Sequence, residues 1–415
     1  MSSSLYHTAN IYFKNEENIK YLLALLSEKD VEARLIGGCV RDAILNLKIN
    51  DIDIATPLIP SQVIEIMKKN SIKVIPTGIK HGTVTIIFKG DKFEVTTLRK
   101  DINCDGRHAT VKFCKDYKKD TLRRDFTINA LSYSLVDSRI YDYHSGLKHL
   151  KEKKIIFIGD PAMRIKEDNL RIIRFFRFSD RYALKLDKEG YNACSHYSYL
   201  IQNLSKERIT GELDQILSNI KKSAIISNMD KAGIFNFIFP SLKWDTNILD
   251  KAIKISSQLG CKILLDTKYV LIFHKNDIRT LAIEFKKLRF SNKRIDFIKR
   301  ILNFLNVIEG GYSNINSEYL LKKYWYHNKL EVFQILISLV TLSYFSLSYA
   351  NELYNYFNKS KFKSFPVNGN DLIKLGYQGK DIKKILELLT TKWIKSNFTC
   401  NKTELIESIK EIKLT

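Results

Sequence analysis

At 415 residues and 45% hydrophobic side chains, the chain has room for roughly two to four domains and can bury substantial cores, which excludes a disordered protein. Its 68 Lys and Arg against 45 Asp and Glu give a formal net charge of +23, which favours polyanionic partners, either nucleic acid or an acidic membrane surface. Cys39, Cys104, Cys114, Cys194, Cys261 and Cys400 are scattered without a C-x-x-C pair, so a reducing cytoplasm is expected rather than a disulfide framework or a structural zinc site.

In chain order, the N-terminal stretch does not read as a signal peptide, because the apolar run Tyr21–Leu26 is short and follows Glu16 and Glu17. An amphipathic helix is expected over Asn15–Ser27. Arg34 to Thr56, RLIGGCVRDAILNLKINDIDIAT, then reads as a strand (Arg34–Ile36), a turn (Gly37, Gly38), a helix from Val40 to about Leu47 and a second strand carrying Asp51 and Asp53. Two glycines let backbone approach a ligand closely, and the N–H groups of a helix start suit a phosphate. Asp51 and Asp53 are two apart, so on a strand they leave one face. Two carboxylates beside a phosphate cradle are what Mg²⁺-dependent phosphoryl or nucleotidyl transfer needs. A D-x-D or a GG alone is weak; their ordered combination within one βαβ-sized unit is specific.

A short helix follows at Ser61–Asn70, then strands at Ile72–Ile75, Gly82–Phe88 and Lys92–Leu98, punctuated by Gly78, Gly82 and Gly90. The alternation implies a small mixed sheet with helices on one face. Asp101–Phe113, DINCDGRHATVKF, reads as a polar loop joining two strands. In Arg123–Ala130, RRDFTINA, the two arginines supply charge for triphosphate oxygens, and Asp125 can orient a ribose hydroxyl or an arginine.

From about Leu150 the pattern turns helical to the C-terminus. Glu167–Phe178, EDNLRIIRFFRF, spaces Asp168, Arg171, Arg174 and Arg177 three apart. On one helix Asp168, Arg171 and Arg174 share a broad face, with Arg177 well round from Asp168. The Watson–Crick edges of cytosine and adenine offer an amino donor beside a ring-nitrogen acceptor; uracil and guanine offer the reverse. An acceptor–donor pair of Asp168 and Arg171 therefore fits C and A and leaves unpaired groups against U and G. Helices are also expected at Lys251–Leu259, Tyr269–Phe273, Asp277–Leu288 and Lys293–Leu305. Val332–Ala350 contains no charged residue and is long enough to span a bilayer, but it holds Gln334, Thr341 and four serines, so a buried helix or helix pair is the better reading.

The Arg34–Thr56 stretch, RRDFTINA and the E-D-x-x-R of Glu167–Arg171 together resemble class II nucleotidyltransferases, the family of CCA-adding tRNA nucleotidyltransferases and bacterial poly(A) polymerases. The resemblance runs through the segment Leu204–Leu217, similar to the family's neck helices, and returns in Pro366–Ile394. It implies an α+β chain: a mixed-sheet nucleotidyltransferase head of the polymerase-beta palm type at 1–150, a helical neck at 151–220, a helical body at 221–357 and a helical tail at 358–415 that contacts tRNA. By the same resemblance, Asp51 and Asp53 hold Mg²⁺, Glu94 is a third catalytic carboxylate, and Gly37, Gly38, Arg41, Arg124 and Asp125 bind the nucleotide. Asp168 and Arg171 template CTP and ATP, supported by Arg174 and Arg177.

Asp105-Gly106-Arg107-His108 match the flexible loop of the CCA-adding members. Asp142–Leu150, DYHSGLKHL, stands where the family has a hinge, and departs from it at Tyr143–Ser145 and Lys148-His149. The implied reaction adds C, C and A to tRNA. A poly(A) polymerase or an A-adding relative is the alternative, and a catalytically silent tRNA-binding module is disfavoured by the intact Asp51 and Asp53. Thr77–Thr83 lacks the arginine-rich stretch of poly(A) polymerases. No G-x-x-x-x-G-K-[ST] loop and no adjacent His-Asp pair occur. The expected setting is the cytoplasm, without membrane, and no residue pattern specifies an oligomeric state.

Overall fold

The computed structural model describes residues 6–8, 11–28, 30–104, 109–310, 314–327, 329–359 and 364–411. Two compact units form, one of Met1–Ile220 with Ala224–Pro240, the other of Lys221–Ser223 with Ser241–Thr415.

The first unit opens with β1 (Tyr6–Thr8) and α1 (Glu16–Leu26), whose Ile19, Leu22, Leu23 and Leu26 are buried at spacings of three and four. Then come β2 (Arg34–Ile36), α2 (Gly38–Ile44), β3 (Ile52–Thr56), α3 (Pro60–Lys69), β4 (Lys73–Gly78), β5 (Thr83–Phe88) and β6 (Asp91–Thr97). Strands β7 (Arg99–Cys104) and β8 (Ala109–Phe113) pair as a separate antiparallel ribbon. The Asp105–His108 motif between them lies outside the described residues. After α4 (Tyr117–Leu122), β9 (Ser132–Ser134) and β10 (Arg139–Tyr141) return to the main sheet.

That sheet has eight strands in the order β1-β10-β9-β2-β3-β6-β5-β4. Only the β3–β6 pair is parallel among those described, and its register sets Asp53 beside Glu94. The sheet is therefore mixed, as the pattern implied, but larger. Strands β1, β9 and β10 have three residues each, too few for alternation to announce them.

Five helices carry most of the remainder of this unit: α5 (Gly146–Lys151), α6 (Pro161–Glu167), α7 (Arg171–Tyr182), α8 (Lys188–His196) and α9 (Lys206–Asn219); α10 (Ala224–Lys231) and α11 (Ile234–Ile238) close it. Helix α7 buries Ile172, Ile173, Phe175, Phe176 and Phe178. Phe126, from the RRDFTINA segment, meets Phe157 at 4.9 Å and Phe178 at 5.4 Å between ring centroids, and Phe157 stacks on Phe175 at 5.7 Å. This aromatic cluster pins Arg123–Asp125 alongside α7. Thr127 N donates to Ile156 O at 3.0 Å and Ile158 N to Asp125 O at 3.1 Å, fixing the same segment by backbone.

The second unit is helical: α12 (Ile248–Gln258), α13 (Leu265–Phe273), α14 (Ile278–Lys287), α15 (Asn292–Glu309), α16 (Asn314–His327), α17 (Lys329–Thr341), α18 (Leu347–Lys359), α19 (Gly369–Ile373), α20 (Lys380–Lys395) and α21 (Lys402–Glu407). The YVLIF run is the C-terminal part of α13 and is fully buried. The uncharged run Val332–Ala350 splits into α17 and the start of α18. Val332, Ile335, Leu336 and Ile337 of α17 have no exposed surface. Its buried Gln334 accepts from Leu264 N and Thr267 Oγ1, both at 2.9 Å, and donates to Lys262 O at 3.0 Å. Among the described residues no helix is long and apolar enough to cross a membrane.

Candidate active site

A cavity of about 460 Å³ in the first unit gathers the β2–α2 turn, β3, the RRDFTINA segment, α7 and α9. Its wall includes eight arginines (Arg41, Arg123, Arg124, Arg171, Arg174, Arg177, Arg181 and Arg208) against three aspartates (Asp53, Asp125 and Asp168). A pocket so biased suits a ligand with several negative charges, such as a triphosphate.

The turn is built for close approach. Gly37 has φ of +77°, and a Cβ there would stand 3.1 Å from Arg124 Nη1. Both the conformation and the space require glycine. Gly37 N–H donates to Leu131 O at 2.9 Å, which ties the turn to the end of RRDFTINA. Gly38 begins α2, two residues earlier than the apolar spacing suggested.

Arg41 is buried and aimed by its neighbours. It donates to Asn129 Oδ1 and, through Nε, to Asp42 Oδ1 at 2.9 Å, and its guanidinium lies 4.2 Å from the Tyr182 ring centre. Arg124 donates to Asn129 O at 3.3 Å and pairs with the buried Asp120 at 3.4 Å, which also holds Arg123 at 2.9 Å. Asp120 precedes these arginines by three and four residues, so α4 and its end present one carboxylate to both.

Asp125 accepts from Phe126 N at 2.8 Å, Asn129 Nδ2 at 2.9 Å and Arg174 Nε at 2.9 Å. Burial opposes its charge, yet the Arg174 guanidinium and these donors hold its carboxyl below the ordinary value. Of its two sequence-level roles, the structure shows the orienting of an arginine.

Asp53 stands at the cavity edge, with Asp51 in the exposed residue ahead of β3 rather than within it. Burial, then the Glu94 carboxylate, push the Asp53 carboxyl up from 3.8 to about 6; Asp51 adds to the rise, against Arg124 and Lys92. Lys92 meets Glu94 at 2.8 Å. Two carboxylates that raise the cost of ionising Asp53 make an electrostatic setting a divalent cation relieves, with hard oxygen donors of the type Mg²⁺ takes. No group of three or more side chains of the metal-binding type is gathered among the described residues. Asp51 and Glu94 do not line the cavity itself.

The helix expected through Glu167–Phe178 is interrupted. Asp168 is not on the helix that carries Arg171. It lies between α6 and α7 in extended backbone, φ −146° and ψ 105°. Its Oδ1 accepts from Leu170 N at 3.1 Å, and Asn169 Nδ2 donates to Ile165 O at 2.9 Å. Such local side-chain bonds compete with helix continuation, and they break it here.

Asp168 and Arg171 nevertheless line one cavity. Arg171 Nη1 donates to Arg164 O and Glu167 Oε2, both at 2.8 Å, and Nη2 donates to Arg123 O at 2.9 Å. A guanidinium has five N–H donors, so among the described residues two are left for a ligand. Arg174, and Arg177 at about one turn, share Glu212 of α9, Arg174 at 3.3 Å. Reasoning from the sequence missed Glu212, and also Arg208, which pairs with Asp168 at 2.9 Å, and Arg181, which meets Asp42 at 3.3 Å. Arg208 and Glu212 are four apart on KERITGEL, one face of a helix; their partners are 35 or more residues away, beyond any local signal.

Residues 33–156 match the family model of the poly A polymerase head domain, and residues 183–245 match a probable RNA and SrmB-binding site of polymerase A. The chain is 32% identical over 409 residues to the mitochondrial CCA tRNA nucleotidyltransferase 1 of Homo sapiens, spanning 95% of this chain and 90% of that protein. It is 28% identical over 403 residues to the CCA-adding enzyme of Staphylococcus haemolyticus, spanning 94% and 97%. Its fold is similar to the Bacillus stearothermophilus CCA-adding enzyme in complex with CTP, with a TM-score of 0.74 at 22% identity over 96% of this chain and 99% of that one. The Thermotoga maritima CCA-adding enzyme complexed with tRNA follows at 0.70 and 18%, over 99% and 100%.

Proposed function

Since the chain belongs to the family of CCA-adding tRNA nucleotidyltransferases and poly(A) polymerases, we propose that it adds C, C and A to the 3′ end of tRNA, drawing on CTP and ATP. The RNA 3′ oxygen attacks the α-phosphorus of the nucleotide, the bond to the β-phosphate bridge breaks, pyrophosphate leaves and the hydroxyl proton passes to solvent.

In this reading the chain's residues divide the work. Gly37 and Gly38 let the phosphates reach the backbone. Arg41 and Arg124 contact the triphosphate, held ready by Asn129, Asp42 and Asp120. Asp125 and Glu212 hold Arg174 and Arg177 beside the nucleotide. Asp168 accepts from the amino group of C or A, and Arg171 donates to the ring nitrogen. Asp51 and Asp53, with Glu94, would hold Mg²⁺, which when bound neutralises the triphosphate and makes the 3′-OH more acidic. The four-part division at 150, 220 and 357, the lysine-rich tail as a tRNA contact and a cytoplasmic setting belong to the same proposal. The cysteines at 39, 114, 194, 261 and 400 are free, which suits a reducing compartment.

One observation carries the reading: an acidic acceptor and a basic donor face the same arginine-walled cavity that Asp53 borders. The test is tRNA lacking its terminal CCA, given CTP, ATP and Mg²⁺. Three nucleotides are gained and extension stops, and Asp51→Ala abolishes incorporation with an unchanged circular dichroism spectrum. Long A tracts on any RNA would make the protein a poly(A) polymerase, and normal activity of Asp51→Ala would remove the metal assignment.

A further inference from the structure

We propose that Lys92 is a positioning residue for the metal site: its ammonium holds the Glu94 carboxylate as a resident cation, and a divalent ion must compete with it for that carboxylate. The proposal rests on the reading of Asp51 and Asp53, with Glu94, as the groups that would hold Mg²⁺.

Strands β3 and β6 bring the groups together. Lys92 and Glu94 are two apart on β6, so their side chains leave one face. The parallel register sets Asp53 beside Glu94 and Ile52 beside Phe93; one step back along both strands, Asp51 comes level with Lys92. Lys92 Nζ donates to Glu94 Oε1 at 2.8 Å, its one ion pair among the described residues. Glu94 first, and Asp51 and Asp53 after it, hold the ammonium more firmly protonated than an ordinary lysine.

Asp53 thus feels two cations with different duties. Arg124 belongs to the cavity wall and is anchored by the buried Asp120. Lys92 is not among the residues that line the cavity, and its side chain is 50% exposed on a flexible four-carbon stem. Arg124 is therefore placed to meet a triphosphate, and Lys92 to serve the carboxylates.

A divalent ion that approaches Glu94 meets an ammonium already on Oε1. The like charges repel, and both draw on the same carboxylate. Coordination by Glu94 requires the ammonium to swing away, which an exposed ion pair allows at little cost. The stronger the hold of Lys92, the weaker the hold of the site on a free cation. The same pair accounts for Glu94 standing apart from a ready-made metal cluster, since its carboxylate is engaged by Lys92 before any ion arrives.

The experiment titrates Mn²⁺ into the full-length protein, free of nucleotide and RNA, at low salt, and counts free ion by its electron paramagnetic resonance signal. The proteins are wild type, Lys92→Met, Lys92→Arg, Glu94→Gln, the double variant of Lys92→Met with Glu94→Gln, and Asp51→Ala. Lys92→Met is expected to bind Mn²⁺ about two- to fivefold more tightly, the range an exposed ion pair accounts for, and the gain shrinks as salt is raised. Lys92→Arg keeps a cation and shows no gain. With Glu94→Gln in place, Lys92→Met gains less, because the contested carboxylate is gone. Melting in chelator stays essentially unchanged for Lys92→Met, as the two side chains are 50% and 42% exposed. No gain in Lys92→Met, or an equal gain with and without the Glu94 carboxylate, overturns the proposal; if Asp51→Ala loses Mn²⁺ in the same experiment, the metal reading still stands. Unchanged Mn²⁺ affinity in Asp51→Ala overturns the metal reading and the proposal with it.

Discussion

Asp53 is costly to the fold that carries it, and replacing it should separate stability from activity. Burial, Glu94 and Asp51 raise its carboxyl from 3.8 to about 6, net of the pull from Arg124 and Lys92. A carboxyl raised in the fold binds protons more tightly there than in the unfolded chain. The fold therefore loses stability as pH rises from the ordinary value through about 6, and above that the whole loss is present. At about 1.4 kcal/mol per unit, the shift sets a ceiling of about 3 kcal/mol. Asp53→Asn keeps the shape and removes the charge, so metal-free protein should gain about 1–3 kcal/mol at about pH 8, or several degrees in melting temperature, and only about 0.5 kcal/mol at about pH 4. The assay is urea and thermal unfolding of both proteins in chelator at the two pH values, then with added Mg²⁺. Wild type is stabilised by Mg²⁺ and Asp53→Asn is not, while incorporation by the variant is lost. An Asp53→Asn protein less stable than wild type in chelator at about pH 8 would refute the electrostatic reasoning.

Gly37→Ala forces a side chain into φ of +77° and to 3.1 Å from Arg124 Nη1; a loss of about 1–3 kcal/mol and a sharp rise in KM for the nucleotide are expected, measured by denaturant unfolding and steady-state kinetics. Glu212→Ala strips the partner from Arg174 and Arg177 inside the protein, so about 3 kcal/mol should be lost, and the double variant with Arg174→Met should be less damaged than the single ones imply. Asp120→Asn should weaken binding of CTP and ATP alike, because Arg123 and Arg124 lose their shared anchor; equilibrium titration with both nucleotides reads it. Charge in the lysine-rich helix α20 should make tRNA affinity fall with salt, and each of Lys383→Ala and Lys384→Ala should lower the slope of log K against log salt by about one.

Much of the fold was legible because its signals are local. Apolar spacing marks α1, α3, α12, α14 and α15, and the buried α13 follows from its helical neighbours. Residue type and order sufficed to single out Gly37, Asp53 and the RRDFTINA segment, which the fold brings to one cavity. Three-residue strands carry little pattern: β2 is announced by the glycine turn after it, but β1, β9 and β10 have no such neighbour and were hidden, and with them three of the sheet's seven strand pairings. The break at Asp168 was hidden for a different reason. The spacing of Asp168, Arg171, Arg174 and Arg177 fits a continuous helix, but two side-chain bonds from Asp168 and Asn169 to nearby backbone end α6 and restart the chain at Arg171. Arg208, Glu212 and Arg181 were hidden because their partners come from distant segments, and only folding brings opposite charges together.

The central claim is that protein side chains, with no nucleic-acid template, choose the nucleotide. It is tested by giving the protein three tRNAs, ending at the discriminator base, at C and at CC, each with CTP, ATP, GTP or UTP and Mg²⁺. The account predicts C on the first two, a single A on the third, then a stop, and poor use of GTP and UTP throughout. Efficient incorporation of UTP or GTP would contradict it and remove Asp168 and Arg171 as the residues that read the base.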